Sequence, residues 1–267
     1  MDHLSHAQTG LREMDEMAMG TSGIHKLHPL CKLIVTITYI FVVVSFHKYD
    51  FSGLIVMALV PVLLFQAAEI PVHVCFYKLR MVLPLVCAVG LANPFLDQVP
   101  VLQIGGWIIT GGVISMLTLM MKGCLTLMAS FLFVATTPID RLCAALRKLH
   151  VPKVLTTLLL LTYRYVGVMI EEASLMMQAY SLRAPGQKGV HISAWGSFLG
   201  QLLLRSIDRA QELYNRMILR GFYGEFYYTD IPECNVRSML FVIAGVGFCL
   251  MARLWNIAEL IGRLIVG

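Results

Sequence analysis

Two short turns centred on arginine are the residues of this chain best placed to do chemistry on a partner: Tyr180-Ser181-Leu182-Arg183-Ala184 and Met217-Ile218-Leu219-Arg220-Gly221. A guanidinium offers a rigid fork of donors that can engage carboxylates or backbone carbonyls of another molecule. A cation on the last turn of a helix is also favoured by the helix dipole, so either arginine alone could serve only its own helix. Both, however, fall inside one polar stretch, Glu171 to Arg237, which carries seven basic residues in an otherwise apolar chain. The pairing within one insertion points outward, to a partner.

Other chemistry is thinly represented. No GxxxxGK[ST] run is present, so the chain is expected not to hydrolyse ATP through a P-loop and not to be an enzyme. His3 with His6, and His25 with His28, are spaced for metal contact. The first pair sits in a polar, mixed-charge tail and the second opens a span, so no metal ligand is assigned. The seven cysteines (31, 75, 87, 124, 143, 234 and 249) show no CxxC spacing, and in apolar windows a reduced thiol packs as a small hydrophobe. Lys122 is the only formal charge between Gln98 and Ile139. An intramembrane charge needs a partner or a route to the interface, so Lys122 is expected to pair structurally, with Glu171 or Glu172 as candidates, or to snorkel.

The elements that must position these residues follow from composition. Hydrophobic residues make up 58% of the chain and charged ones 14%, with a mean hydropathy of +0.74; a soluble domain carries about 25% charged residues. A bilayer core about 30 Å thick takes about 20 apolar helical residues to cross. Windows near 30–46, 52–68, 81–96, 111–136 and 238–254 meet or approach that, the third being short and interrupted by Pro84 and Pro94. The expected class is an all-α polytopic membrane protein with about five transmembrane helices. The first 29 residues show no cleavable signal, so the first span should act as its own insertion signal. Lys and Arg gather before the first span, between the second and third, and after the fourth, while the 97–110 loop has none. The N-terminus is therefore expected in the cytoplasm. The basic 138–153 loop should mark that side and contact anionic lipid.

Val154 to Ile170 is apolar enough to suggest a further crossing. A crossing there would place the seven basic residues outside, against the charge rule. Thr157, Arg164, Glu171 and Gln178 instead recur every seven residues, joined by Ser174 and Ser181, and draw one polar seam along a helix over 152–183. Pro152 stands where a first-turn proline is tolerated, and Pro185-Gly186 ends the run. A second amphipathic helix is expected over 193–220, capped by Ser193. Trp195, Phe198, Leu199, Leu202 and Leu203 form its apolar face, Arg205, Arg209, Glu212, Arg216 and Arg220 its polar stripe, and Gly221 its stop. The organisation is thus a tail with four spans (1–136), a cytosolic helical region (137–237), and a last span with its tail (238–267).

Along nearly its whole length the chain resembles the transmembrane T component of energy-coupling factor (ECF) transporters, most closely the cobalt-type, CbiQ-like branch. The resemblance runs from Leu27-His28-Pro29 and Lys32 to the last apolar block. It is most specific over Thr136-Thr137-Pro138, Leu146-Arg147, Val151-Pro152, Tyr163-Arg164-Tyr165, Glu171-Glu172, Ala179, Arg205-Ser206, Arg209-Ala210 and the two arginine turns. The resemblance implies a scaffold with two cytosolic coupling helices, each ending in an Ala-Arg-Gly-like motif that docks on an ATPase. By position those motifs are Leu182-Arg183-Ala184 and Leu219-Arg220-Gly221; Leu replaces Ala before each arginine, and Ala184 replaces the first Gly. The implied partners are two ATP-binding-cassette ATPase subunits holding ATP and magnesium, and a substrate-binding membrane S subunit of cobalt type with a small accessory subunit. No cofactor on this chain and no nucleic acid are implied, and the location is the bacterial or archaeal cell (inner) membrane. A nickel or vitamin system, a self-contained metal permease or channel, and a peripheral adaptor are the alternatives.

Overall fold

In hydrocarbon a backbone must satisfy its own N–H and C=O groups, so apolar runs of this kind fold as helices. A computed structural model describes residues 2–48, 50–80, 82–96, 100–104, 107–186, 189–224, 226 and 235–254. The side chains of His3 and His6, residue Cys234 and the tail 255–267 lie outside the described part. Helices α2 (Pro29–Ser45), α3 (Phe51–Ala68), α5 (Leu83–Leu96), α6 (Gly111–Thr136) and α10 (Val236–Leu254) fall within two residues of the apolar windows read from the sequence. The chain is an all-helical polytopic membrane protein. Its one described departure from helix is a short antiparallel hairpin, β1 (Pro100–Ile104) with β2 (Trp107–Thr110). By length and composition α6, α10 over Val236–Arg253, and α8 (Lys153–Arg183) are long and apolar enough to cross a bilayer, while α2 and α3 are shorter apolar helices.

Three further helices went unforeseen. Asp2–Ala18 forms α1 within the polar, mixed-charge tail, Val72–Leu79 forms α4, and the basic 138–153 loop contains α7 (Ile139–Lys148). The remaining pair of helices is α8 and α9 (Trp195–Leu219), the latter preceded by a single 3-10 turn at Ile192–Ala194. The chain divides into two compact units: Met17–Thr137 with Pro232–Gly267, and Met1–Glu16 with Pro138–Ile231.

In the first unit α6 is the hub, packed by α2, α3 and α5, and α10 lies on α2 and α3. One cluster joins Phe65, Cys75, Phe131 and Ala135; a second joins Tyr39, Val43, Phe46, Leu54, Met57 and Cys249. A Cβ on Gly123 would stand 2.7 Å from Cγ1 of Val86, so glycine permits the close seat of α5 on α6. The hydroxyls of Thr118, Thr126 and Thr136 donate back to carbonyls of their own helix, which keeps polar groups satisfied inside the apolar α6.

Buried polar residues in this unit cap helix ends. His28 accepts from the Leu30 amide through Nδ1 at 3.2 Å, forming the N-cap of α2, and its own amide donates to Ser238 Oγ. Lys32, 5% exposed, donates through Nζ to the Thr136 carbonyl at 2.7 Å, placing a cation on the last carbonyls of α6. Lys122 finds neither glutamate candidate: its Nζ donates to the carbonyls of Val44 and Phe46. Arg253 donates to the Ser45 carbonyl and stacks over the Phe46 ring at 5.1 Å. Two cations therefore close the C-terminal end of α2, where backbone acceptors lack intrahelical donors.

Candidate functional site

The arginine turns belong to the second unit, whose helices are held very unequally. Helix α7 buries Cys143, Ala144 and Ala145, and burial pushes the Cys143 thiol up to about 11, so it packs as a neutral apolar group. Its end closes through bonds from the His150 amide to Arg147 O and from the Val151 amide to Leu146 O, with His150 left-handed at φ 62°. Helix α8 then starts after Pro152 and runs unbroken for 31 residues. It buries Thr156, Thr157, Leu160 and Ala173. Arg164 pairs with Asp140 of α7 at 3.7 Å, and the Tyr163 hydroxyl donates to Asp15 of α1 at 2.5 Å. Arg147 donates to the Phe226 carbonyl at 2.9 Å, tying down the segment beyond α9.

Helix α9 has no fully buried residue. Ser193 does not cap it: the His191 side chain caps the 3-10 turn ahead of it, accepting from the Ser193 amide, and Ala194 precedes the helix without a side-chain cap. Phe198, Leu202, Ser206, Leu213 and Met217 are half-buried, and spacings of four and seven put them on one face. Arg205 and Arg209, on the polar stripe read from the sequence, reach α8. Arg205 hydrogen-bonds to Oε1 of Glu172, and Arg209 stands 4.0 Å from its Oε2. Glu172 is mostly covered, its side chain 18% exposed, whereas its neighbour Glu171 is exposed. Arg216 pairs along its own helix with Glu212.

Beside this crossing lies an apolar groove of about 530 Å³. Helix α8 supplies Val154, Leu158 and Leu161 from its first half and Met169 from its middle to the walls, and the second half of α9 supplies Leu213 and Met217, with Phe222 beyond. The two helices thus run side by side in opposite senses from Glu172 and Arg209 toward Val154 and Met217. Arg183 lies on the other side of the crossing from Arg220. At 1.5 Å per residue, eleven residues put each arginine about 16 Å of helix beyond the Glu172–Arg209 pair.

Both arginines are exposed, and so are the leucines before them, Leu182 at 82% and Leu219 at 86%. Bare leucine beside a guanidinium is a surface that hydrophobic contact and charge-assisted hydrogen bonds can both use. The second turn is tightly built: Gly221 N donates to Ile218 O at 2.9 Å and Phe222 N to Met217 O at 3.0 Å, with Gly221 at φ 79°. At the first turn Ala184 is the C-cap at φ −124°, bonded to Tyr180 O, and the left-handed residue comes later, at Gly186. The second pair of histidines spaced for metal contact, His25 and His28, is engaged otherwise. His25 meets Ser22 Oγ through Nδ1 and the Met17 carbonyl through Nε2, and His28 is a helix cap. Among the described residues no three His, Cys, Asp or Glu side chains gather as a ligand set.

An apolar helical bundle in one unit, and in the other a pair of amphipathic helices with exposed arginine ends, define the class as an all-α polytopic membrane protein. Residues 20–228 match the family model described as CbiQ, cobalt transport protein, and the chain belongs to that family. It is 26% identical over 226 residues to the energy-coupling factor transporter transmembrane protein EcfT of Leuconostoc gelidum, covering 76% of this chain and 81% of that protein. An uncharacterized protein of Methanocaldococcus jannaschii is 24% identical over 138 residues, and the nickel permease LarQ of Lactiplantibacillus plantarum 28% over 121. These cover 51% and 45% of this chain, which spans only 47% and 44% of their lengths.

Proposed function

We propose that the chain is the membrane-embedded energy-coupling (T) subunit of an ATP-driven ECF uptake transporter for cobalt ion. It links two cytosolic ATP-binding-cassette ATPases to a substrate-binding membrane S subunit and its small accessory subunit. In this reading α2, α3, α5, α6 and α10 cross the membrane with the N-terminus inside, while α8 and α9 lie on the cytosolic side as coupling helices. ATP and magnesium belong to the ATPases, and this chain carries no cofactor.

The observation that carries the reading is the pair of exposed Leu-Arg tips on opposite arms of one crossing. Two tips separated along two helices suit two motor subunits. When nucleotide draws those subunits together, each helix moves as a lever, because a continuous helix transmits displacement along its axis. The groove beside the crossing gives that motion an apolar surface on which to act. The polar seam of α8, with Arg164 on Asp140 and Glu172 on the α9 arginines, supports a place outside the hydrocarbon despite its length. Membership of a family described by cobalt transport favours cobalt, and the likeness to a protein named as a nickel permease makes nickel the second reading.

Charge reversal at both tips, Arg183→Glu with Arg220→Glu, should abolish co-purification of the ATPases and cobalt uptake while the chain still inserts. Wild-type recovery of the ATPases with the double variant would refute the docking role.

A further inference from the structure

We infer that Glu172 is the pivot that fixes the angle between α8 and α9, one carboxylate shared by two guanidiniums of the facing helix. The inference rests on reading these helices as the coupling pair, and makes Glu172 a positioning residue for energy transfer rather than a docking one.

Helix α9 buries no residue completely, so packing alone holds it weakly. The ion pairs that join it to α8 converge on Glu172: Oε1 takes Arg205 and Oε2 faces Arg209 at 4.0 Å. Arg205 and Arg209 are one helical turn apart, so on their own they repel. A carboxylate between them cancels that repulsion and selects one rotation of α9 about its axis. Glu212 is held by Arg216, so it does not draw Arg209 away. The pair also sits at a boundary. Met169 and Arg209 line both the apolar groove and a polar cavity of about 510 Å³, the latter shared with Glu172, Arg205, Asp208 and Glu212. A change in crossing angle there would widen one space and narrow the other. Both arginine side chains are about half exposed, 52% and 45%. The clamp is therefore open to solvent and screened by salt, which suits a joint that must change angle in each cycle.

Distance distributions between spin labels at positions 178 and 215, carried on introduced ketone side chains, test this on the full chain in nanodiscs. The wild type should give one narrow population. Glu172→Gln, nearly isosteric, should broaden it several-fold, and high salt should broaden the wild type in the same sense. Restoring the pairing in reverse, Glu172→Arg with Arg205→Glu and Arg209→Glu, should narrow it again. A Glu172→Gln distribution superimposable on wild type, or a reversed triple variant as broad as the single one, would overturn the pivot. In the whole transporter Glu172→Gln should keep its ATPases and their hydrolysis but move less cobalt per ATP. Loss of the ATPases instead would make Glu172 a docking residue and overturn the assignment. Label distances need no ATPase, so their outcome is separate from that of the tip reversal.

Discussion

Helices α8 and α9 both end on a Leu-Arg pair, yet they stop by different means. After Arg220 the chain turns left-handed at once, at Gly221, and the Phe222 amide closes back on Met217 O. That double closure satisfies the last carbonyls and sets Phe222 beside the residue it bonds, both facing the groove. After Arg183 the next residue is alanine, which stays on the negative-φ side, and the reversal waits for Pro185 and Gly186. One tip is locked by its own backbone; the other leads into a wider turn whose amide at His191 is met by the Tyr180 hydroxyl. Equal chemistry at the two ends therefore rests on unequal supports, and the Arg220 tip is the better defined of the two.

Substitution can break that contrast. Gly221→Val puts a β-branched residue at positive φ and should destabilise the end of α9 by about 2 kcal/mol. Faster amide exchange over 217–222 and a lower unfolding midpoint of the purified chain would register it. Phe222→Ala removes the apolar half of the same closure and should cost about 1 kcal/mol, the side chain being half-buried. At the other tip Ala184→Gly should cost at most about 1 kcal/mol, since the alanine is unstrained and only chain entropy is added. A large loss there would mean that the first turn is as tightly built as the second. Smallest of all in stability, Arg183→Ala and Arg220→Ala should stay within about 0.5 kcal/mol of wild type, both side chains being exposed. Their effect should show in ATPase recovery.

The apolar helices were legible because hydrocarbon imposes one structure on a long apolar run: α2, α3, α5, α6 and α10 lie where hydropathy places them. Helix α8 was legible from its seven-residue seam, and the α9 stop from Gly221. The β1–β2 hairpin was missed although Gly105-Gly106 between β-branched runs is a hairpin signal. Helix α7 carries Ile139, Leu142, Cys143 and Leu146 at i, i+3, i+4 and i+7, an apolar stripe that the basic residues of 138–153 obscured. The partners of the charges were not readable. Lys122 binds backbone carbonyls, which carry no residue identity, and Glu172 meets arginines 33 and 37 positions away in sequence. Exposed Leu182 and Leu219 follow from the helix ends, whereas the covered state of Glu172 beside exposed Glu171 required the crossing itself.

Sidedness of the second tip tests the account most directly. With cysteine placed by Leu219→Cys, a membrane-impermeant maleimide should leave the position unlabelled in intact cells and label it in inside-out vesicles. Bound ATPases should then shield it. Labelling of that cysteine in intact cells would put the tip on the outer face and contradict the coupling role.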